Sequence, residues 1–154
     1  MDYKLLENIP LFRGLTKDEM ERVLQLAFVK DYKNGLTLFF EGMQGGIMYV
    51  ILTGVVDLYK KSKDDEENIF LVSIKKGDYL GELSLIDEDQ RSATAKIAED
   101  SQLLVITRKC FNDMIYKEPE IALKILLNIV KKLSERLKQM NQKMVKLEEQ
   151  NDKK

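Results

Sequence analysis

The chain has 154 residues, 44% apolar and 33% charged, with a net charge of −1. That length suits one compact domain with a helical extension, and the balanced charge argues against a surface built wholly for nucleic acid or an acidic membrane. With no histidine and one cysteine, Cys110, the composition excludes a disulfide framework and His-based catalysis and nearly excludes Cys/His zinc sites, so the reading is of a non-enzyme without a metal.

The N-terminal MDYKLLENIP carries acids and no extended apolar stretch, which excludes a secretory signal. Pro10 is expected to end a first short helical segment. Thr16, followed by Lys17, Asp18 and Glu19, reads as an N-cap with acids in the first turn, and Met20, Val23, Leu24, Leu26 and Ala27 give one apolar face, predicting a helix over 17–28. After Lys30 the texture changes. Turn signals at Asn34-Gly35, Gly45-Gly46, Gly54 and the acidic run from Ser62 to Asn68 separate short β-type segments: LTLFFE, IMYVILT, VVDLYKK, IFLVSIKK, RSATAKIA and SQLLVITR. The longest apolar run, Ile47 to Leu52, is far shorter than the roughly 20 residues of a membrane helix. No membrane association is expected, and a reducing cytoplasm is the default. The predicted class is α+β, mainly β: an antiparallel β-roll or jelly-roll-like barrel over residues 1–118, with N-terminal helices and a hinge helix.

Helical periodicity returns at Phe111, and residues 119–154 form the second expected unit. Leu123, Leu126, Val130, Leu133, Leu137, Met140, Met144 and Leu147 alternate at spacings of three and four, a heptad seam kept for more than three repeats. Ile121, Ile125 and Ile129 widen the first turns into a face that suits packing on the chain's own barrel. Past Leu137 the stripe narrows among Lys, Gln and Glu, as expected of a homodimeric coiled coil, and Lys143 can meet Glu148 of a parallel partner helix. This tail is mildly basic, nine Lys and Arg against five acids, while the first 118 residues carry sixteen against twenty-one.

The stretch GELSLIDEDQRSATA, Gly81 to Ala95, carries the chemistry. A glycine opening a one-turn helix lets an anion approach free backbone N–H groups, and Arg91 offers a planar, permanently charged fork suited to phosphate oxygens, with Ser92 and Thr94 as neighbouring hydroxyls. Glu82 would repel a phosphate, yet it suits a hydroxyl carried beside one. The alternative is that Arg91 merely pairs with Asp87 or Asp89 and that Gly81 is only a turn.

The order of the motifs resembles the cyclic nucleotide-binding domain family over nearly the whole chain. GELSLIDEDQRSA fits the family's phosphate-binding cassette without a gap, and NGLTLFFEGMQGGIMYVILTG resembles its glycine-punctuated strands. FNDMIYKEPEIALKILLNIVKKLSERL is similar to the hinge and C-terminal helix of the catabolite activator type. The resemblance implies a regulatory ligand, cyclic AMP more than cyclic GMP. It implies that Arg91 and Ser92 hold the cyclic phosphate with backbone N–H groups near Leu83 and Ser84, and that Glu82 takes the ribose 2′-hydroxyl. The base would lie on Leu58, Leu71 and Ile74 under the C-terminal helix. Two adjacent small hydroxyl residues that read adenine in the catabolite activator type align with Arg136 and Leu137 here, so Arg136 or Lys132 is either a cationic lid on the base or an exposed charge of the coiled coil. A helix-turn-helix does not follow within these 154 residues, and no nucleic-acid partner is expected, an effector protein remaining open. Ligand would tighten the cassette, shift the hinge from Phe111 to Pro119 and close the C-terminal helix over the base. The competing reading is a dimeric interaction protein with a vestigial pocket.

Overall fold

A computed structural model of the chain describes residues 2–64, 66–88 and 90–154. Asp65, in the predicted acidic turn, and Asp89, one of the two carboxylates considered for Arg91, lie outside the described residues. Among the described residues six strands form one antiparallel sheet: β1 Phe28–Tyr32, β2 Thr37–Phe39, β3 Ile47–Lys61, β4 Asn68–Lys75, β5 Tyr79–Leu80 and β6 Thr94–Thr107. Three α-helices flank it, α1 Lys17–Leu26, α2 Arg108–Lys117 and α3 Pro119–Asp152. The class is the expected one, mainly antiparallel β with N-terminal helices and a long C-terminal helix.

Several boundaries differ from the sequence reading. Pro10 begins a 3-10 turn, Pro10–Phe12, instead of ending a helix, because its missing N–H would have been unpaired in a first turn anyway. At α1 the Thr16 hydroxyl accepts the Glu19 N–H at 3.2 Å, and the Glu19 carboxylate accepts the Thr16 N–H at 2.9 Å, a reciprocal cap. The helix stops at Leu26 because the chain turns into β1, whose exposed Phe28, Lys30 and Asp31 give it no alternating apolar signature.

The main correction concerns Gly54. It is not a turn between two strands. β3 runs through it, and β6 likewise merges two predicted strands, the pair staying in register from Ile47 opposite Thr107 to Tyr59 opposite Thr94 apart from bulges between Ile51 and Val56. Gly54 has φ +91°, and a Cβ there would lie 2.1 Å from Ser101 Oγ and 2.6 Å from the Asp100 carbonyl oxygen, so only glycine fits this crossing. The bulged strands bend there, and their halves take different neighbours. β1 and β5 pair with one end, β2 and β4 with the other, which rolls the sheet.

Alternation along β3 divides the core. Met48, Val50 and Leu52 face α1, α2 and the first half of α3, whereas Tyr49 and Ile51 face the roll interior with Phe39, Val56, Ile97 and Leu103. The continuous apolar run at 47–52 is therefore buried on both faces. Ile121, Ala122, Ile125 and Ile129 anchor α3 in the helical core. Asn128 Nδ2 donates to the carbonyls of Leu11 and Arg13 at 2.8 and 2.9 Å, and Lys124 pairs with Glu19 at 2.8 Å. Beyond this anchorage Leu137, Met140, Met144 and Leu147 are exposed. Among the described residues, no helix is long and apolar enough to cross a membrane.

Candidate functional site

A cavity of about 680 Å³ opens between the roll interior, the 3-10 turn Glu82–Leu85 and α3. The turn is placed by Gly81, whose φ of +82° favours glycine. A Cβ on it would stand 2.6 Å from the Ile47 carbonyl oxygen and 2.7 Å from Arg91 Nη1. Gly81 thus makes the room that the guanidinium occupies.

Arg91 is 8% exposed. Its Nη1 donates to Ser84 Oγ at 2.9 Å and its Nη2 to the Ile47 carbonyl at 2.8 Å, while the guanidinium carbon stacks 4.1 Å from the centroid of Phe39. The buried Nε has no hydrogen-bond partner among the described residues, and none of their carboxylates pairs with the guanidinium, Asp87 included. Burial draws its pKa down, opposed by the neighbouring Tyr49. A buried cation with donors still unmatched is a strong recruiter of an anion. Its backbone is fixed as well, since the Arg91 N–H donates to Met43 O at 2.7 Å and its carbonyl accepts from Gly42 N–H at 2.8 Å.

Glu82, 7% exposed, faces the same cavity. Arg136 Nη1 donates to its Oε1 at 2.8 Å, and Arg136 Nη2 also lies 3.8 Å from Asp78 Oδ1. Lys132 pairs with the same Asp78 oxygen. These cations sit above Tyr79, 4.7 and 5.9 Å from its ring centroid. The Tyr79 phenol is buried without a partner among the described residues, and burial, followed by the charge of Glu82, pushes its pKa up to about 12. It is a neutral donor at physiological pH.

The structure brings together Gly81, Glu82, Leu83, Ser84, Arg91, Ser92, Ile74, Leu58, Lys132 and Arg136 as walls of one cavity. Leu71 is the exception. The register steps from Leu58 opposite Val72 to Tyr59 opposite Phe70, so Leu71 is the extra residue of a bulge; Val72 lines the cavity in its place. The Ser84 N–H is also engaged, donating to the Gly81 carbonyl at 3.1 Å. Sequence reasoning missed Asp78, Tyr79, Glu135 and Gln139. The last two fall with Lys132 and Arg136 at spacings i, i+3, i+4 and i+7, one helical face that could have been read from the sequence. Arg108 was missed too: its Nη2 donates to the carbonyls of Ser84 and Asp87, both at 2.8 Å.

A buried arginine with no carboxylate partner among the described residues, facing a carboxylate across a half-open cavity with apolar walls, has the chemistry to receive a small phosphate bearing a neutral hydroxyl. Residues 29–118 match the model of the cyclic nucleotide-binding domain, and the chain belongs to that family. It is 30% identical over 130 residues to the cyclic AMP receptor protein of Thermus thermophilus, covering 84% of this chain and 60% of that protein. It is 30% identical over 118 residues to the cGMP-dependent protein kinase, isozyme 2 forms cD5/T2, of Drosophila melanogaster, covering 75% of this chain and 13% of the kinase. Among solved structures, the Thermus thermophilus catabolite activator protein matches with a TM-score of 0.78 and 29% identity over 90% of this chain and 62% of that one. The chain thus spans less than two thirds of these relatives.

Proposed function

We propose that this chain is a cyclic-nucleotide sensor that binds cyclic AMP in preference to cyclic GMP and transmits occupancy through α3, acting as a regulatory module and not as a catalyst. The observation that carries this reading is Arg91, a buried guanidinium with an unmatched Nε and no carboxylate partner among the described residues, set across from Glu82. In this reading Arg91, with Ser84 and Ser92, takes the cyclic phosphate, and Glu82 takes the ribose 2′-hydroxyl. Leu58, Val72 and Ile74 support the base. The likeness to a protein named as a cyclic AMP receptor supports the adenine ligand. Cyclic GMP is the second reading, supported by comparable identity to a cGMP-dependent kinase.

Transmission follows from the ties between α3 and the cassette. Lys132 and Arg136 hold Asp78 and Glu82, so a ligand that engages Glu82 biases the position of the helix that carries the exposed stripe of Leu137, Met140, Met144 and Leu147. That stripe is the proposed homodimer seam.

Isothermal titration with cyclic AMP and cyclic GMP tests the assignment. Wild type is expected to bind, and Arg91→Ala to bind at least about tenfold more weakly, the loss of a charge-assisted contact. Equal binding by both proteins sinks the phosphate role. Absence of any binding by wild type returns the chain to a dimeric interaction module.

A further inference from the structure

Four residues of α3 face the cavity: Lys132, Glu135, Arg136 and Gln139. The two cations are already committed. Lys132 is paired with Asp78, and Arg136 is held by Glu82 and Asp78. For Arg136 to turn onto the O6/N7 edge of a guanine it would have to leave Glu82, which is 7% exposed, abandoning a buried carboxylate. Glu82 can keep Arg136 on Oε1 and still accept a hydroxyl on Oε2, which has no donor among the described residues. Ligand entry therefore leaves the Arg136–Glu82 pair unbroken, and α3 stays tied to the carboxylate that the ligand engages.

What remains on α3 for reading the base is Glu135 and Gln139. Neither has a side-chain hydrogen bond or ion pair to another described residue, and both are exposed at the cavity rim. Glu135 lies one turn from Lys132, at the Asp78 end, close enough to Tyr79 for its charge to act on the phenol. Gln139 lies beyond Arg136, about 4.5 Å further along the helix axis. A neutral amide is also the cheaper group to desolvate against a purine. Its oxygen accepts an exocyclic amine and its nitrogen donates to a ring nitrogen, the two-point match that an adenine presents at N6 and N7. Guanine presents two acceptors on that edge, so the amide oxygen would face a carbonyl.

We infer that Gln139 is the base-reading residue of this cavity and that it selects adenine over guanine. The inference rests on the cyclic-nucleotide reading above and extends it to a residue one helical turn beyond the Arg136–Leu137 pair. The selectivity comes from a neutralised helix face: the cassette acids silence the cations that would otherwise favour guanine, leaving an amide to discriminate.

The test is titration of wild type and Gln139→Ala with cyclic AMP, cyclic GMP and cyclic inosine monophosphate, the last differing from cyclic AMP by a 6-oxo group, with its attendant N1 proton, in place of the 6-amino group. Alanine at an exposed helix position keeps the fold. Wild type is expected to bind cyclic AMP about tenfold tighter than either 6-oxo nucleotide. In Gln139→Ala the cyclic AMP affinity is expected to fall about tenfold while that for cyclic inosine monophosphate stays within about twofold, closing the gap. An unchanged ratio in Gln139→Ala overturns the inference and leaves the proposed function intact; tighter binding of cyclic GMP than cyclic AMP by wild type overturns the inference together with the cyclic AMP preference and leaves a cyclic-nucleotide sensor. No binding of any of the three by wild type overturns both.

Discussion

Arg136 of α3 and Glu82 of the cassette meet across the cavity at 2.8 Å, although 54 residues separate them in the chain. The side chain of Glu82 is 9% exposed and that of Arg136 39%, so the pair sits at the edge of solvent, where its net worth is modest but the cost of orphaning the carboxylate is not. Arg136→Met is expected to lower stability by about 1–2 kcal/mol in urea denaturation, and Glu82→Gln in that background to recover part of it. Additive single effects would show that the two side chains do not interact in solution.

Gly81→Ala combines strain with collision. The positive φ disfavours any side chain, and the new methyl would meet the Ile47 carbonyl and Arg91 Nη1. The cost to stability should be about 2 kcal/mol or more, measured by thermal melting. Nucleotide affinity in the folded fraction should fall more than tenfold, because Arg91 is the side chain that has to yield. Wild-type affinity in this variant would show that the guanidinium relocates without loss.

Gly54→Ala acts far from the cavity. Its methyl would overlap Ser101 Oγ and the Asp100 carbonyl at the crossing of β3 and β6. A loss of roughly 3 kcal/mol or more is expected, with insoluble expression as the practical sign. Pairing it with Ser101→Gly removes the nearest overlap and should recover only part of the loss, since the backbone carbonyl remains.

Acid sensitivity has a local source at α1. The ammonium of Lys124, then the Thr16 N–H, lowers the pKa of Glu19 below the ordinary carboxylate range. A carboxylate depressed in the folded state contributes stability that is present above the unfolded pKa of about 4.3 and is lost as pH falls through the lowered folded value. Lys124→Met should therefore cost about 0.5 kcal/mol at pH 7, a small figure because solvent screens the pair, and less at pH 3, where protonation of Glu19 removes the charge that Lys124 pairs with. An identical cost at both pH values would assign the effect to packing.

The proposed seam on α3 is checked by sedimentation. Wild type is expected to run as a dimer, and Leu137→Glu with Met140→Lys as a monomer of unchanged helicity. A monomeric wild type removes the seam.

What the sequence made legible was local. Arg91 and Glu82 could be paired because both stand on one short loop, and Thr16 announced its helix through Glu19. The misreadings came where partners are distant. Gly54 looks like a turn until Ser101 is seen against it, and Leu71 looks like a wall residue until a one-residue bulge moves Val72 into its place. The engagement of Lys132 and Arg136 by Asp78 and Glu82 depends on how a helix more than fifty residues away lies over the turn. No spacing within either segment encodes it.

Arg108, the first residue of α2, gives these contacts a mechanical sense. Its guanidinium grips the Ser84 and Asp87 carbonyls, and its own N–H donates to the Gly46 carbonyl at 2.9 Å. The loop that cradles Arg91 is thus bolted to the root of the helix leading into α3. On the proposed sensing mechanism, any displacement of the loop would load these two charge-assisted bonds and so reach the start of α2, which leads into α3, a helix about 50 Å long. In the proposed sensor, a small shift of the cassette would be read out at the far end of that helix.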